Sequence, residues 1–336
     1  MGIPLSILDL APIRPGQSAS DSFAASVALA QHAEAWGYRR VWYAEHHNMP
    51  TIASSATSVL IAHVAALTRT IRLGAGGIML PNHAPLTIAE QFGTLETLHP
   101  GRIDLGLGRA PGTDQNTMRA LRRYVTSADS FPEDVLELQG YLAGQTRIPG
   151  VDATPGKGTH VPLYILGSSL FGAQLAALLG LPFAFASHFA PDALQDAVAI
   201  YRREFRPSGQ LDRPFVIAGV NVIAADTSSA AQEQYLAAKR NRVRSRLARG
   251  LTVSDEQADI LLDSPAGQQI QHMFRVAAVG APGEVREYLD AFARYADADE
   301  LIVAHQSPNT EARLRSVELL ADAVLGALST SAAFRR

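Results

Sequence analysis

The chain has 336 residues, of which 47% are hydrophobic and 18% charged, with a formal net charge of -3. This length can bury one large core or two ordinary ones, and the near-neutral charge gives no general reason to bind nucleic acid or an anionic membrane. The lack of cysteine excludes disulfides, thiolate nucleophiles and cysteine metal sites. Residues 1–6 do not resemble a signal peptide, and no run approaches the roughly 20 apolar residues of a membrane span, so we expect a cytoplasmic protein.

Short apolar runs alternate with longer segments of helical period, which is typical of a parallel sheet joined by crossover helices. We predict strands at residues 3–10, 40–43, 71–80, 102–107, 163–166, 183–186, 215–224 and 300–304. A last helix is predicted to open at Ser307 and Pro308. Eight strand and helix units over one chain favour a single-domain (β/α)8 TIM barrel over a doubly wound sheet.

The stretch from about residue 230 to 279 is too long for one crossover helix. We therefore predict an inserted helical segment before the last strand, covering the barrel mouth as a lid. Its basic residues could attract an anion, although a solvated helix face is the favoured interpretation. They are Lys239, Arg240, Arg242, Arg244, Arg246 and Arg249.

In a barrel, the C-terminal ends of all strands converge on one face, so residues distant in sequence become neighbours there. The run at residues 41–47 is the most informative, because an apolar strand ends in Glu45, His46 and His47. A buried, hydrogen-bonded histidine would give the same local pattern. Other candidates at strand ends are Asp9, residues 76–80, Arg109, Ser168, Ser169 and His188.

Gly167, Ser168 and Ser169 precede a predicted helix, where free backbone N–H groups, two hydroxyls and a positive dipole end suit a phosphate. Arg109 could supply the countercharge through a bidentate contact. Ordinary helix capping is the alternative for the serines, and a structural salt bridge is the alternative for Arg109.

Glycines at positions 74, 76 and 77 lie inside a predicted strand, which they weaken unless a flat or bulky group approaches the backbone. A planar ring over the strand would be such a group, and a β-bulge is the alternative. Residues 106–112 superficially resemble a dinucleotide fingerprint, but Pro111 replaces the third glycine, so we reject a Rossmann site.

Adjacent side chains on an extended chain point to opposite faces, so His46 and His47 cannot easily chelate one ion, and no metal site is predicted. The pattern Gly-x-Ser-x-Gly is absent from the sequence, which argues against a serine hydrolase.

Taken together, the motifs resemble those of the bacterial-luciferase-like family of flavin-dependent monooxygenases, and the resemblance covers nearly the whole chain. The motifs are AEHH at residues 44–47, GAGGIMLP at 74–81, GRIDLGLGR at 101–109, LGSS at 166–169, GLP at 180–182 and VGAPGEV at 279–285. Each motif is modest alone, but their order and spacing are specific.

The resemblance implies a (β/α)8 barrel that binds FMN at its C-terminal mouth, often as a homodimer. It also implies that His46 is the catalytic histidine and that Arg109 and the turn at Gly167, Ser168 and Ser169 form the phosphate site. Gly76 and Gly77 match a non-proline cis peptide under the flavin ring. His188 falls where some relatives place an aromatic side chain near the cofactor.

The implied reaction is oxidation of a small organic substrate by reduced FMN and O2, through a peroxyflavin. The protein would exclude water and manage protons, and His46 could transfer one at neutral pH. Electrons would come from a separate flavin reductase or directly from NAD(P)H. One alternative is hydride transfer with a deazaflavin, whose acidic tail the basic segment at 239–249 could hold. A second alternative is a flavin-binding protein without catalytic activity.

Overall fold

The fold is a closed parallel β-barrel surrounded by helices, seen in a computed structural model that describes residues 2–110, 112–248 and 251–326. Its strands are β1 (Leu5–Asp9), β2 (Arg40–Tyr43), β3 (Arg72–Met79), β4 (Ile103–Gly108), β5 (Leu163–Gly167), β6 (Phe183–Phe185), β7 (Val216–Ala224), β8 (Ala277–Gly280) and β9 (Glu300–His305). Successive strands pair in parallel from β1 to β7, and β9 joins β7 to β1, which closes the ring without β8. The predicted (β/α)8 barrel is therefore confirmed.

The helices pack around this barrel and leave its lumen to the strands. They are α1 (Ala19–Ala35), α2 (Thr57–Ala66), α3 (Pro85–Leu98), α4 (Gln115–Ala120), α5 (Phe131–Ala143), α6 (Leu170–Leu179), α7 (Leu194–Glu204), α8 (Ser228–Leu247), α9 (Asp255–Asp263), α10 (Pro265–Met273), α11 (Pro282–Tyr295) and α12 (Thr310–Leu325), with 3-10 turns at Leu80–Asn82 and Val125–Ala128. The last helix begins slightly later than predicted, because Asn309 accepts a hydrogen bond from the Ala312 N–H and acts as its N-cap. None of the described helices combines the length and apolar character needed to cross a membrane.

Residues 228–280, which we call the excursion, contain α8, α9, α10 and β8 and replace a simple crossover. The inserted helical segment was predicted here, but its short strand was not. Residues Asn221 to Ala224 of β7 pair with β8, outside the barrel ring. The helices share a small apolar core that includes Val243, Leu262 and Phe274 and is separate from the main core.

The barrel lumen has a charged end and an apolar end. At the N-terminal end of the strands, the Arg40 guanidinium donates hydrogen bonds to Asp104 at 2.7 Å, Tyr164 at 2.8 Å and Glu300 at 3.1 Å. A buried guanidinium needs such partners to offset the loss of water, and this network supplies them at the closed end of the barrel. An apolar layer of Leu8, Trp42, Ala184 and Ile302 separates it from the mouth.

Candidate active site

A cavity of about 1030 Å³ opens at the C-terminal mouth of the barrel. Such volumes lie at the upper end of the range of about 300 to 1,000 Å³ for small-molecule sites, so it has room for more than one small ligand. Most of the predicted site residues line it together: His46, Gly76, Arg109, Gly167, Ser168, Ser169 and His188. Gly77 is buried beside the cavity and is not part of its lining.

The glycines of β3 serve the packing of neighbouring strands. The Gly76–Gly77 peptide bond is cis, as the resemblance implies, and the register between β3 and β4 shifts at this point. A Cβ atom on Gly76 would lie 2.9 Å from the Trp42 Cβ, and one on Gly77 would lie 2.8 Å from the Gly106 carbonyl oxygen. The pairing of β3 with β4 is therefore irregular at these glycines, and Gly76 also leaves the floor of the cavity without a side chain.

His46 presents a neutral imidazole to the cavity. Its Nδ1–H donates to the Gly112 carbonyl oxygen at 3.3 Å, and since a carbonyl can only accept, the free lone pair belongs to Nε2. Burial lowers the pKa of His46 below its ordinary value, although the Gly112 carbonyl and the Glu45 charge oppose this effect. At neutral pH, His46 can therefore accept a proton at Nε2.

Glu45 anchors the strand end that carries His46. Its carboxylate is buried and accepts hydrogen bonds from His47 Nε2 at 2.8 Å, His83 Nε2 at 2.9 Å and the Met79 N–H at 2.9 Å. Burial alone would raise the pKa of Glu45, but these bonds and the charge of His83 outweigh it and lower the pKa to about 2. Glu45 thus stays ionised and ties β2 to the end of β3.

Glu45, His47 and His83 place possible ligand atoms within 4.8 Å of one another. Each Nε2 points at a Glu45 oxygen only 2.8–2.9 Å away, in hydrogen-bond geometry. In the structure both histidines contact the carboxylate in hydrogen-bond geometry, and His47 faces Glu45 instead of the cavity.

Arg109 and the start of α6 form the cationic part of the cavity. The exposed Arg109 guanidinium lies 4.3 Å from the Phe171 ring centroid, and no carboxylate among the described residues pairs with it. Ser169 occupies the N-cap position, yet its side chain accepts no capping hydrogen bond. The backbone N–H groups that open α6 are thus available to an anion. Among the described residues, Arg109 has no salt bridge and Ser169 forms no capping bond, which were the structural alternatives for these residues.

His188 follows β6, with its ring against the backbone of β7. A Cβ atom on Gly219 would lie 2.4 Å from His188 Nδ1, so this strand position admits only glycine while the ring is there. Burial, together with the positive charge of Arg242, lowers the pKa of His188 to about 4. His188 is therefore neutral at physiological pH.

Asp9, a candidate from the sequence, does not line the cavity. Its buried carboxylate accepts hydrogen bonds from Arg313 at 2.9 Å, Ser26 at 2.6 Å and the Ala11 N–H at 2.8 Å. Asp9 therefore joins β1 to α1 and α12 and has a structural role.

The basic residues of α8 fall into two groups with different surroundings, which was not predicted from the sequence. Arg240 and Arg244 form ion pairs with Asp255 of α9, whereas Arg242 and Arg246 line the cavity. Residues four apart share a helix face and residues two apart do not, so this division was readable from the spacing. Lys239 lies over the Tyr235 ring, and Arg249 falls outside the described residues.

Sequence comparisons point to one family. Residues 3–299 match the family model described as luciferase-like monooxygenase. A protein of Escherichia coli (strain K12) named luciferase-like monooxygenase is 50% identical over 325 residues, which cover 95% of this chain and 96% of that protein. The N-acetyl-S-alkylcysteine monooxygenase of Bacillus subtilis (strain 168) is 35% identical, with 97% of this chain and 99% of that protein covered.

Comparisons with solved structures agree with these sequence matches. The crystal structure of apo-MsnO8 superposes with a TM-score of 0.86 at 34% identity, covering 96% of this chain and 98% of that one. A type II Baeyer-Villiger monooxygenase in complex with FMN and an F420-dependent secondary alcohol dehydrogenase share the fold, with TM-scores of 0.74 and 0.69 at 17% and 15% identity. From its barrel, its cavity and these matches, the chain belongs to the luciferase-like monooxygenase family.

Proposed function

We propose that this protein is a monooxygenase that uses reduced FMN and O2 to oxidise a small organic substrate. The observation that carries the proposal is that one cavity holds both the neutral imidazole of His46 and the anion site of Arg109 and α6. Family membership supports it, because relatives at 50% and 35% identity are named monooxygenases.

The residues of the cavity fit FMN. Arg109 has no carboxylate partner among the described residues, and the α6 N-terminus lacks a side-chain cap, so both suit the FMN phosphate. Gly76 leaves the cavity floor free of a side chain, which suits a planar ring. Reduced FMN would supply the electrons for O2 activation.

The protein would supply proton transfer and a dry site. His46 accepts a proton at Nε2 in its neutral form and returns it when protonated. Met273 and Phe274 of the excursion line the cavity and would exclude water from it. A homodimer and a separate flavin reductase belong to the same proposal.

A deazaflavin-dependent hydride transfer is the second candidate. Arg242 and Arg246 at the mouth favour it, because an acidic cofactor tail could bind there. The neighbour that uses F420 shares only the fold at 15% identity, so the monooxygenase remains the first choice. A flavin-binding protein without activity is the third, and the position of His46 in the cavity argues against it.

The test is to titrate the purified protein with FMN and with the F420 deazaflavin, in wild type and Arg109→Ala. We expect FMN to bind, and the variant to bind it about 10- to 100-fold more weakly, because a charge-assisted contact to the phosphate is lost. Arg119→Ala is the matched control, since Arg119 is exposed on α4 and does not line the cavity. Equal FMN affinity in all three proteins would refute the phosphate assignment.

Turnover is then tested with reduced FMN, ¹⁸O2 and N-acetyl-S-methylcysteine, a compound of the class named for the Bacillus subtilis relative. We expect substrate oxidation with one ¹⁸O atom in the product, measured by mass spectrometry. Tight deazaflavin binding without any O2 consumption would instead establish the hydride-transfer alternative.

A further inference from the structure

Helix α8 presents two pairs of arginines to different surroundings. Arg240 and Arg244 lie on the face that packs against α9, where Asp255 and Asp259 neutralise them. Arg242 and Arg246 lie on the face that lines the cavity. Only the second pair is available to a ligand.

Arg242 lacks the partner that a buried cation needs. It is half-buried, and no described residue forms an ion pair or hydrogen bond with its guanidinium. Burial and then the nearby charge of Arg246 lower the pKa of Arg242. Withdrawing an unpaired guanidinium from water is unfavourable, so an anion that enters the cavity gains from binding there.

Arg242 and the proposed phosphate site come from different elements of the fold. Its charge acts on both His46 and His188, which follow β2 and β6 on opposite sides of the barrel. Arg242 lines the same cavity as the proposed proton-transfer residue His46. Arg109 and the start of α6 instead follow β4 and β5.

The wall of the cavity that Arg242 lines is mostly apolar. The apolar side chains of the cavity include Leu10, Phe189, Met273 and Phe274. A ligand that satisfies both the cation and these side chains has a charged end and an apolar body.

We propose that Arg242, assisted by Arg246, binds the carboxylate of an otherwise apolar substrate and thereby selects organic acids. The proposal rests on the proposed function, since it concerns the substrate of the same cavity. It adds a specificity-determining residue and a substrate class.

Matched pairs of acid and neutral amide test the proposal by calorimetry, which measures binding without turnover. The probes are octanoate with octanamide and hydrocinnamate with its amide, titrated into wild-type protein with and without FMN. We expect the acids to bind about 10- to 100-fold more tightly than their amides. Arg242→Met should abolish the preference, and Arg242→Lys should retain part of it, because the charge remains.

Arg244→Met is the control, because it removes a cation from the same helix but from the face that packs on α9. It should keep the full preference for acids, and thermal denaturation verifies that each variant is folded. The proposal is overturned if Arg242→Met keeps the preference, or if wild type shows none in either pair, including the case in which no probe binds.

Two further titrations exclude the cofactor as the bound anion. Arg242→Met should bind FMN and riboflavin as wild type does, and selective loss of FMN would move Arg242 to the phosphate site. Loss of F420 binding with unchanged acid binding would assign Arg242 to a cofactor tail. A protein that prefers acids but consumes no O2 would refute the proposed reaction and keep this inference.

Discussion

His46 and His47 are adjacent in sequence but have different environments. The first lines the cavity with Nε2 free to accept a proton, and the second is hydrogen-bonded to the buried Glu45 carboxylate. Successive side chains of an extended chain point to opposite sides, so a strand end can place one imidazole in a site and use the next as support. The chemistry proposed for this motif therefore belongs to one of its two histidines.

Replacement of His46 by alanine should abolish most turnover without affecting cofactor binding. We expect turnover to fall about 10²- to 10⁴-fold, because a positioned proton carrier is lost, while the FMN dissociation constant stays within a factor of about three. The exposed His63 on α2 offers His63→Ala as a control. Unchanged turnover in His46→Ala would make this residue structural.

The pH profile gives an independent reading of His46. Burial lowers its pKa, so a base at this position remains unprotonated at neutral pH. The value of kcat/KM should then decline only as the pH falls below the ordinary histidine range, and this acidic limb should be missing in His46→Ala.

His305 should make the fold sensitive to acid. It is buried, its Nδ1 lies 2.9 Å from Ser316 Oγ, and burial lowers its pKa to about 3 from 6.5. Between these values His305 is protonated in the unfolded chain but not in the native state. The free energy of unfolding therefore decreases as the pH falls from 6.5 toward 3. Linkage gives a loss of about 2 kcal/mol between pH 6.5 and about pH 5.

Urea denaturation of wild type and His305→Gln at both pH values measures this loss. The variant should lack this part of the pH dependence, and His63→Gln, at an exposed position, should keep all of it. Equal pH dependence in wild type and His305→Gln would show that another group is responsible.

At the level of elements, β3 and β4 approach each other more closely than side chains allow. A Cβ atom on Gly106 would lie 2.3 Å from the Ala75 carbonyl oxygen and 2.7 Å from Leu166 Cδ1. Gly106→Ala should therefore separate the strands and lower the free energy of unfolding by about 1–3 kcal/mol. Gly209→Ala is the control, because a Cβ there meets no atom within 4 Å. Similar denaturation midpoints for both variants would contradict this explanation.

Elements with a strong local signal were predictable from sequence. The strand β7 is buried along its whole length, and its sequence is an apolar run interrupted only by Asn221. The four residues of β8 have no such signal, because their pairing with β7 depends on the tertiary fold. The last helix begins a few residues after its predicted start, because the position of its N-cap residue, Asn309, determines where the helix begins.

The candidate site was predictable only where strand ends converge. His46, Arg109 and Ser168 were found because the barrel rule brings strand ends together. The contact of Glu45 with His83 joins residues 38 positions apart, and no local sequence pattern indicates it. The spacing of Arg242 and Arg246 showed a shared face, but only the fold shows that this face meets the cavity.

On the scale of the whole molecule, the excursion has a core of its own, separate from the core between strands and helices. Cores of this size open locally at lower free energy than a closed barrel. We expect amide hydrogens of α8, α9 and α10 to exchange faster than those of the barrel strands. Octanoate should slow exchange in α8 and leave α1 unchanged as an internal control. Equal protection of excursion and barrel before ligand addition would contradict this expectation.

The strand β7 belongs to both the barrel and the excursion, since residues 217–222 pair with β9 in the ring and residues 221–224 pair with β8. This shared strand limits how the excursion can be exchanged between related proteins to alter their substrate specificity. A graft of residues 228–280 alone would leave the native β7 facing a foreign β8 and break the register between Asn221 and Ala277. Chimeras should therefore transfer residues 221–280 as one unit, so that the donor helices arrive with β8 and with the end of β7 that pairs with it.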